Sequence, residues 1–230
     1  MISRDLATFA GVNGGVLQGA NAKFARVISD SRALEPGALF VALTGDRFDG
    51  HDFVADAAAR GAAGAIVSRP VDCALPQVVV ADTLAGLATF GNAWRRSFAG
   101  VVVGITGSNG KTTVKEMTGA ILAELGPCLV TQGNLNNHIG VPLTLCRLEA
   151  THLCAVIEMG ANHLREIAHL AALAEPTVGL VINAGQAHLE GFGGIDGVAT
   201  GKGELFEALG PDGTAVINAD DRFAVFWRGR

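Results

Sequence analysis

Short apolar runs alternate with helical patterns along the whole chain, and the arrangement of these segments changes near residue 100. In the first part, apolar runs at residues 39–43, 65–67 and 78–80 are interspersed with helical patterns at residues 51–60 and 84–98. Short apolar runs between amphipathic segments are typical of strands that alternate with helices. We therefore predict that residues 1–98 form a small α/β domain of their own.

From Val101 onward the chain repeats strand, loop and helix. The predicted strands are residues 101–106, 128–131, 153–158, 178–183 and 214–218. The predicted helices are residues 112–125, 163–174 and 198–209. Strands that are apolar throughout and separated by helices predict a parallel sheet buried on both faces. Residues 99–230 are thus predicted to form a second α/β domain, joined to the first near residues 97–100. We predict no further element after the last strand, and expect this domain to be incomplete at Arg230.

Composition narrows the class of protein. Of the 230 residues, 49% are hydrophobic and 17% are charged, which indicates a globular chain. No run approaches the ~18 apolar residues of a membrane span, and Asp5 interrupts any export signal. A net charge of −5 with scattered Lys and Arg disfavours nucleic acid as a partner. The four cysteines form no CxxC pair, so we expect a reduced, cytoplasmic protein.

The strongest motif is a glycine loop that follows a predicted buried strand and precedes a predicted helix. It reads Gly107-Ser108-Asn109-Gly110-Lys111-Thr112-Thr113. Backbone amides of such a loop and the start of the helix suit a polyphosphate, with the lysine on the β- and γ-phosphates and the threonine on Mg²⁺. Ile105 occupies the place of the usual first glycine. The alternative is a glycine turn with a chance Lys-Thr behind it, but strand, loop and helix in register favour a phosphate loop.

A carboxylate for the metal side of this loop is supplied by Glu158. It ends an apolar run at the carboxyl edge of a predicted strand, where ligands bind in open α/β sheets. The alternative is a solvated strand end. His188 and Lys202, taken alone, read as a surface histidine in a glycine-rich loop and a solvated helix lysine.

Several segments together resemble the Mur ligase family of cell-wall synthesis. The matching segments are residues 106–113, 133–142, 158–162, 183–190, 202–204 and 218–221, with residues 30–32 and 48–51 in the first domain. The resemblance covers essentially the whole chain. It implies a sugar-nucleotide domain followed by an ATP-binding central domain, and a third domain that this chain does not contain.

The resemblance also implies roles for individual residues. ATP contacts would come from Gly107, Ser108, Asn109, Gly110, Lys111, Thr112, Thr113 and, near the adenine, Asn218. Mg²⁺ would be held by Thr112, Glu158, His188 and Lys202, the last matching a lysine that the family carbamylates. The substrate residues would be Ser31 and Arg32 on the uridine, Asp49 and His51 in the same domain, and Asn134, Asn136 and Asn137 on the muramoyl part. Lys111, Lys202 and His188 would be the catalytic residues. His138 stands where relatives often carry an acidic residue.

The asparagine-rich block at residues 133–142 favours the dipeptide-adding branch of the family. The implied activity is ATP-dependent joining of D-alanyl-D-alanine to UDP-N-acetylmuramoyl-tripeptide through an acyl phosphate, in peptidoglycan precursor synthesis, which supports cell shape and division. Two alternatives stay open: a related ligase, such as the preceding Mur ligase or a folate polyglutamate synthetase, and a poorly active fragment that only binds nucleotide or UDP-muramoyl peptide. The third residue of the tripeptide, lysine or diaminopimelate, and the oligomeric state are also left open.

Overall fold

The computed structural model describes residues 1–229 and divides the chain into two compact units, Met1–Ser97 and a second that starts at Phe98. Both units alternate strands and helices, which confirms the predicted α/β class. No helix within residues 1–229 combines the length and apolar character needed to cross a membrane.

The first unit contains a five-stranded sheet and a small hairpin. Its elements are α1 (Leu6–Asn13), β1 (Val16–Gln18), β2 (Val27–Ile28), a 3₁₀ turn (Ser31–Ala33), β3 (Leu39–Val41), β4 (Thr44–Gly45), β5 (Phe48–Asp49), a second 3₁₀ turn (Gly50–Phe53), α2 (Val54–Ala59), β6 (Gly64–Val67), β7 (Gln77–Val79) and α3 (Thr83–Arg96). The sheet has the order β1-β7-β6-β3-β2 and is parallel except for β1, while β4 and β5 form the hairpin. Its core includes Phe40, Val54 and Val67.

Two local features of this unit differ from the prediction. The helix expected at residues 51–60 is split into the second 3₁₀ turn and α2, because the Asp49 side chain accepts the His51 amide at 2.9 Å and starts a tight turn. Helix α1 was not predicted. The Asp5 side chain caps it by accepting the Thr8 amide at 2.8 Å, and Gly14 ends it with a φ of 60°.

The second unit is built on a five-stranded sheet in which every pairing is parallel, as predicted. Its elements are β8 (Val101–Thr106), α4 (Lys111–Ala123), β9 (Cys128–Val130), α5 (Gly140–Leu145), β10 (Cys154–Glu158), α6 (Glu166–Ala174), β11 (Val178–Val181), α7 (Leu189–Phe192), α8 (Ile195–Glu207), β12 (Thr214–Ile217) and α9 (Ala224–Arg228). The strand order is β12-β11-β8-β10-β9. Strand β8 is therefore central. The chain continues from β8 to β9 and β10 on one side and then crosses to β11 and β12 on the other side. Open α/β sheets bind ligands at such a reversal of strand order.

Three predictions for this unit are wrong in part. Strand β12 is largely exposed and lies at the sheet edge, so it is not buried on both faces. A further element does follow it: helix α9 packs through buried Trp227, whose Nε1 donates to the Ala199 carbonyl at 2.9 Å. Helix α6 begins at Glu166 and not at residue 163, because the Glu166 carboxylate binds the amides of the two residues His163 and Asn162 and holds them in a loop.

Candidate functional site

The glycine loop connects the central strand β8 to the start of helix α4, as the sequence predicts. Gly110 has a φ of 78°, a left-handed conformation that glycine adopts without strain. It lies at the N-cap of α4, and no side chain caps this helix start. The first-turn amides of a helix have no intrahelical partner, so those of Lys111, Thr112 and Thr113 remain for an anion.

Asn183, just past the end of β11, fixes the opposite side of the loop. Its Oδ1 accepts the amides of Ser108 and Asn109, both at 3.1 Å, and its Nδ2 donates to the Asn109 carbonyl at 3.2 Å. The Ser108 hydroxyl also pairs with the backbone of Gly185. The amides of Ser108 and Asn109, two residues predicted to contact ATP, are thus already hydrogen-bonded to Asn183. Sequence reasoning gave Asn183 no role, although its position after a buried strand was a usable signal.

Lys111 folds back over the loop that precedes it. Its Nζ donates to the Gly107 carbonyl at 2.9 Å and lies 3.5 Å from the Ser108 carbonyl. Burial lowers the pKa of Lys111, and the nearby Glu158 carboxylate offsets this only in part. The ammonium group is therefore held at the loop by carbonyls that a phosphate group can replace.

The carboxylate of Glu158, at the end of β10, lies at the centre of a polar cluster although only 2% of the residue is exposed. Its Oε2 accepts the Thr112 hydroxyl at 3.1 Å, and its Oε1 accepts the Asn136 amide nitrogen at 2.7 Å. Thr112, which the sequence predicts at the same metal site, therefore contacts Glu158 directly, and so does Asn136, which was predicted to bind the substrate. The alternative of a solvated strand end is excluded by its burial.

Lys115 is the third partner of Glu158, and sequence reasoning missed it. It is fully buried, with its Nζ 2.8 Å from the Thr131 carbonyl, 2.9 Å from Glu116 Oε1 and 3.8 Å from Glu158 Oε2. The signal available was its helical spacing, because Lys115 and Gly119 are the residues that α4 buries against the sheet. A buried ammonium at this distance compensates the buried carboxylate.

One cavity of about 650 Å³ brings together four of the predicted site residues of the second unit, Lys111, Asn136, Asn137 and His188. It is lined by Lys111, Asn136, Asn137, His138, Gly160, Ala161, Asn162, Leu164, Arg165, Glu166, His169, Leu170 and His188. Asn137 also holds the turn that leads into α5, since its Oδ1 accepts the amides of Ile139 and Gly140. Asn134 is exposed and is not among the lining residues.

His188 and Lys202 lie at this cavity in different ways. His188 is exposed, lines the cavity and has a φ of 56°, an uncommon conformation for a residue with a side chain. Lys202 is only 2% exposed, with its Nζ 3.4 Å from the carbonyl of Ala161, a lining residue, and 5.1 Å from the centre of the Phe192 ring. Burial and the Lys111 charge lower the pKa of Lys202 to about 8, while Glu166 and Glu204 act in the opposite direction. Lys202 is therefore not a solvated helix lysine.

Asn218 lies apart from this cavity. It lines a smaller space of about 200 Å³ with apolar residues of α4, β11 and β12, among them Val114 and Leu180. Its Nδ2 donates to the Ile182 carbonyl at 3.2 Å. This space adjoins the start of α4, and its apolar walls suit a flat ring.

Two of the four predicted substrate residues of the first unit line a cavity of about 460 Å³. Ser31 and Arg32 line it, and the Arg32 guanidinium makes two bonds to the Asp30 carboxylate, at 2.9 and 2.8 Å. The bond from Arg32 lowers the pKa of Asp30 to about 2. The sequence gave no reason to expect that this arginine is already paired.

Asp49 and His51 lie beside the same cavity but do not line it. The buried His51 ring bonds Asp49 Oδ1 through Nδ1 at 2.5 Å and accepts the Ser68 amide through Nε2 at 2.9 Å. The His51 amide and ring, followed by Arg69, hold the pKa of Asp49 well below its usual range. These two residues fix the turn that carries Gly50, which does line the cavity.

Comparisons with known proteins agree across both units. The family model described as "Mur ligase middle domain" matches residues 105–230, and the one described as "Mur ligase family, catalytic domain" matches residues 23–96. A curated relative, the UDP-N-acetylmuramoyl-tripeptide–D-alanyl-D-alanine ligase of Escherichia coli K12, is 49% identical over 228 residues, which are 99% of this chain and 50% of the relative.

Solved structures give the same result. A crystal structure of MurF from Acinetobacter baumannii aligns with a TM-score of 0.89 and 41% identity, covering 97% of this chain and 50% of that chain. A MurF ligase from Thermotoga maritima in complex with ADP aligns with a TM-score of 0.76 and 35% identity, covering 85% of this chain and 46% of that one. The chain therefore spans about half the length of the relatives that it matches.

Proposed function

Because the chain belongs to the Mur ligase family, we propose that it takes part in the ATP-dependent joining of D-alanyl-D-alanine to UDP-N-acetylmuramoyl-tripeptide in peptidoglycan precursor synthesis. The observation that carries the proposal is the cavity of about 650 Å³, where Lys111 of the phosphate loop lies with Asn136 and Asn137 of the asparagine block. A phosphate donor and a muramoyl peptide bound there would meet. The four free cysteines accord with the reducing cytoplasm.

The reaction requires a carboxylate to approach a polyphosphate. The terminal carboxylate of the tripeptide attacks the γ-phosphorus, the bond to the β-phosphate oxygen breaks, and ADP leaves. The amine of the dipeptide then attacks the resulting acyl phosphate, loses a proton and expels inorganic phosphate. Lys111 and the first-turn amides of α4 would offset the repulsion between carboxylate and phosphates. No side-chain nucleophile is needed.

The donor set at the loop fits Mg²⁺. A hydroxyl and a carboxylate oxygen, those of Thr112 and Glu158, lie 3.1 Å apart beside the loop, and hard oxygen donors are what this ion prefers. Residues 1–229 contain no group of three or more His, Cys, Asp or Glu side chains that could hold a metal ion. A Mg²⁺ ion at the loop would take further oxygen ligands from the ATP phosphates. We assign Thr112 and Glu158 to it, with His188 and a carbamylated Lys202 as further ligands. When bound, the ion neutralises the charge on the transferred phosphoryl group.

The substrate assignments follow the cavities of about 460 Å³ in the first unit and about 650 Å³ in the second. In the first unit, Ser31 and Arg32 would contact the uridine part, and Asp49 and His51 would hold the adjoining turn. In the second unit, Asn136 and Asn137 would contact the muramoyl part, and the space beside Asn218 would take the adenine. We assign no residue of this chain to D-alanyl-D-alanine.

Calorimetric titration of this chain tests the proposal. We expect ATP with Mg²⁺ and UDP-N-acetylmuramoyl-tripeptide each to bind, with ATP affinity reduced in Lys111→Ala and UDP-substrate affinity retained. A folate polyglutamate precursor serves as the control ligand. The assigned substrate would be contradicted if the chain bound ATP but no UDP-muramoyl peptide, or if it bound the folate precursor more tightly than the UDP-muramoyl peptide. Tripeptide-dependent release of ADP in the same mixture separates a reactive chain from one that only binds.

A further inference from the structure

Arg165 occupies a costly backbone position without an evident folding role for its side chain. Its φ is 70°, in the left-handed region that residues other than glycine, asparagine and aspartate rarely adopt. The start of α6 is held by Glu204, whose carboxylate accepts the amides of Arg165 at 2.6 Å and Ala168 at 3.0 Å. Within residues 1–229 the Arg165 guanidinium has no hydrogen bond or ion pair, and it lines the cavity of about 650 Å³. Backbone strain at a residue whose charged side chain is unpaired and lines a cavity indicates that the side chain binds an anionic ligand there.

Glu166 is the next residue and lines the same cavity. Its carboxylate accepts the amides of Asn162 at 2.7 Å and His163 at 3.2 Å, so it is fixed in place. Burial acts to raise the pKa of Glu166, but the two amide bonds and the His163 ring outweigh it and hold the pKa below its ordinary value. Glu166 is therefore an anion at neutral pH, and it is the one acidic residue that lines this cavity in the described part of the chain.

The cavity thus offers one free cation and one fixed anion on adjacent residues. We infer that Arg165 and Glu166 form the subsite for the side chain of the third residue of the tripeptide, and that they select a side chain ending in an amino-acid head group. In such a group, as in diaminopimelate, an ammonium and a carboxylate share one carbon and would pair with Glu166 and Arg165. A lysine side chain brings only the ammonium and would face Arg165 uncompensated. The inference rests on the proposed function.

The chemistry of the pairing makes the selection one-sided. Guanidinium binds carboxylate through two parallel N–H bonds, and it stays charged at any pH at which the protein is folded. Lys111 adds a second cation to the same cavity, so an isolated ammonium gains from Glu166 but is repelled by two groups. A ligand without the carboxylate leaves Arg165 without its partner, and this lost charge-assisted pair weakens binding more than the retained contact with Glu166 strengthens it.

The test compares three UDP-N-acetylmuramoyl-tripeptides by calorimetry on the whole chain. Their third residues are diaminopimelate, diaminopimelate with its side-chain carboxylate amidated, and lysine. We expect the first to bind about tenfold more tightly than the other two, as one charge-assisted pair would give. In Arg165→Gly the three affinities should become equal, because the first ligand loses the partner of its carboxylate and the other two lose the repulsion from the guanidinium. Glycine accepts a φ of 70°, so the melting temperature should stay the same or rise.

An exposed arginine of the same unit that does not line this cavity provides the matched control, Arg222→Ala, which should keep the wild-type ratio. The ratio that decides is the affinity for the diaminopimelate ligand divided by the affinity for the lysine ligand. If this ratio is near one in the wild type, or is the same in Arg165→Gly as in the wild type, the assignment is overturned and the proposed function remains intact. If none of the three ligands binds, the proposed function fails and this assignment fails with it. A uniform loss of affinity in Arg165→Gly would indicate a structural role and would also overturn it.

Discussion

The ammonium group of Lys115 lies 3.8 Å from the carboxylate of Glu158, and both side chains are buried. The pair joins helix α4 to strand β10 directly beneath the phosphate loop. Lys115 is anchored to the Thr131 carbonyl on its other side, so it cannot leave Glu158 without losing that bond. The Glu158 side chain is consequently held in a fixed position before any ligand arrives.

Replacing Lys115 by methionine should destabilise the second unit by about 3–5 kcal/mol, because it leaves the Glu158 charge buried without its cation. Urea unfolding followed by Trp227 fluorescence in a Trp94→Phe background measures this in the second unit. The double variant Lys115→Met/Glu158→Gln should lose less than Lys115→Met, since no unpaired charge remains. The exposed Lys23→Met provides the control. A loss in Lys115→Met no larger than in the control would mean that the pair does not stabilise the fold.

Replacing Lys111 by alanine should weaken ATP binding about 10–100-fold, the range of a lost charge-assisted hydrogen bond. The fold should survive, since the Lys111 ammonium bonds only the loop carbonyls of Gly107 and Ser108. Titration with ATP and Mg²⁺ measures the affinity, and a melting curve measures the fold. Undiminished ATP binding would remove Lys111 from the phosphate site, whereas Lys23→Ala should change neither quantity.

Replacing Gly110 by alanine tests the loop conformation alone. A Cβ at Gly110 meets no atom within 4 Å, so the only cost is the left-handed φ of 78°, about 1–2 kcal/mol. Gly210→Ala is a matched control, because that position is equally open and has no positive φ. We expect a lower urea midpoint and weaker ATP binding in Gly110→Ala only. Equal behaviour of the two variants would show that the loop tolerates another conformation.

The parallel sheet and the phosphate loop could be predicted because both depend on local patterns. Apolar runs longer than a turn and a glycine loop between strand and helix are visible within a few residues of sequence. The exposure of β12 and the presence of helix α9 could not be predicted in this way. Trp227 of α9 is buried by a contact with the distant Ala199, and no local pattern reports that partner.

Some residues of the candidate site could likewise be identified from local sequence, and others could not. Thr112 was identified from the glycine-loop motif, and Glu158 because it ends an apolar strand at the ligand-binding edge of the sheet. Lys115 was missed because a Lys-Glu pair on a helix normally faces solvent, and only the fold places Thr131 and Glu158 against it. Arg165 was missed because its left-handed backbone has no sequence signature.

Lys202 has the environment that carbamylation requires. A neutral amine adds CO₂, and burial together with the Lys111 charge brings the pKa of Lys202 to about 8, from an ordinary value of 10.5. At about pH 7.5, roughly a quarter of such amines are neutral, against about 0.1% for an ordinary lysine. The product carries two anionic oxygens, which suit a hard cation better than an ammonium does.

We therefore expect ¹³C-bicarbonate to label Lys202 ahead of Lys23, the exposed lysine among the four in the chain. A carbamate carbon resonance should be present at about pH 7.5, vanish in Lys202→Met and persist in Lys23→Met. The pKa shift gives an independent check without CO₂. Between about pH 8 and 10.5 the unfolded chain holds a proton that folded Lys202 has released, so the free energy of unfolding should rise with pH more steeply in the wild type than in Lys202→Met. Parallel curves, together with a carbamate signal that survives Lys202→Met, would exclude Lys202 as the carbamylated residue and as a metal ligand.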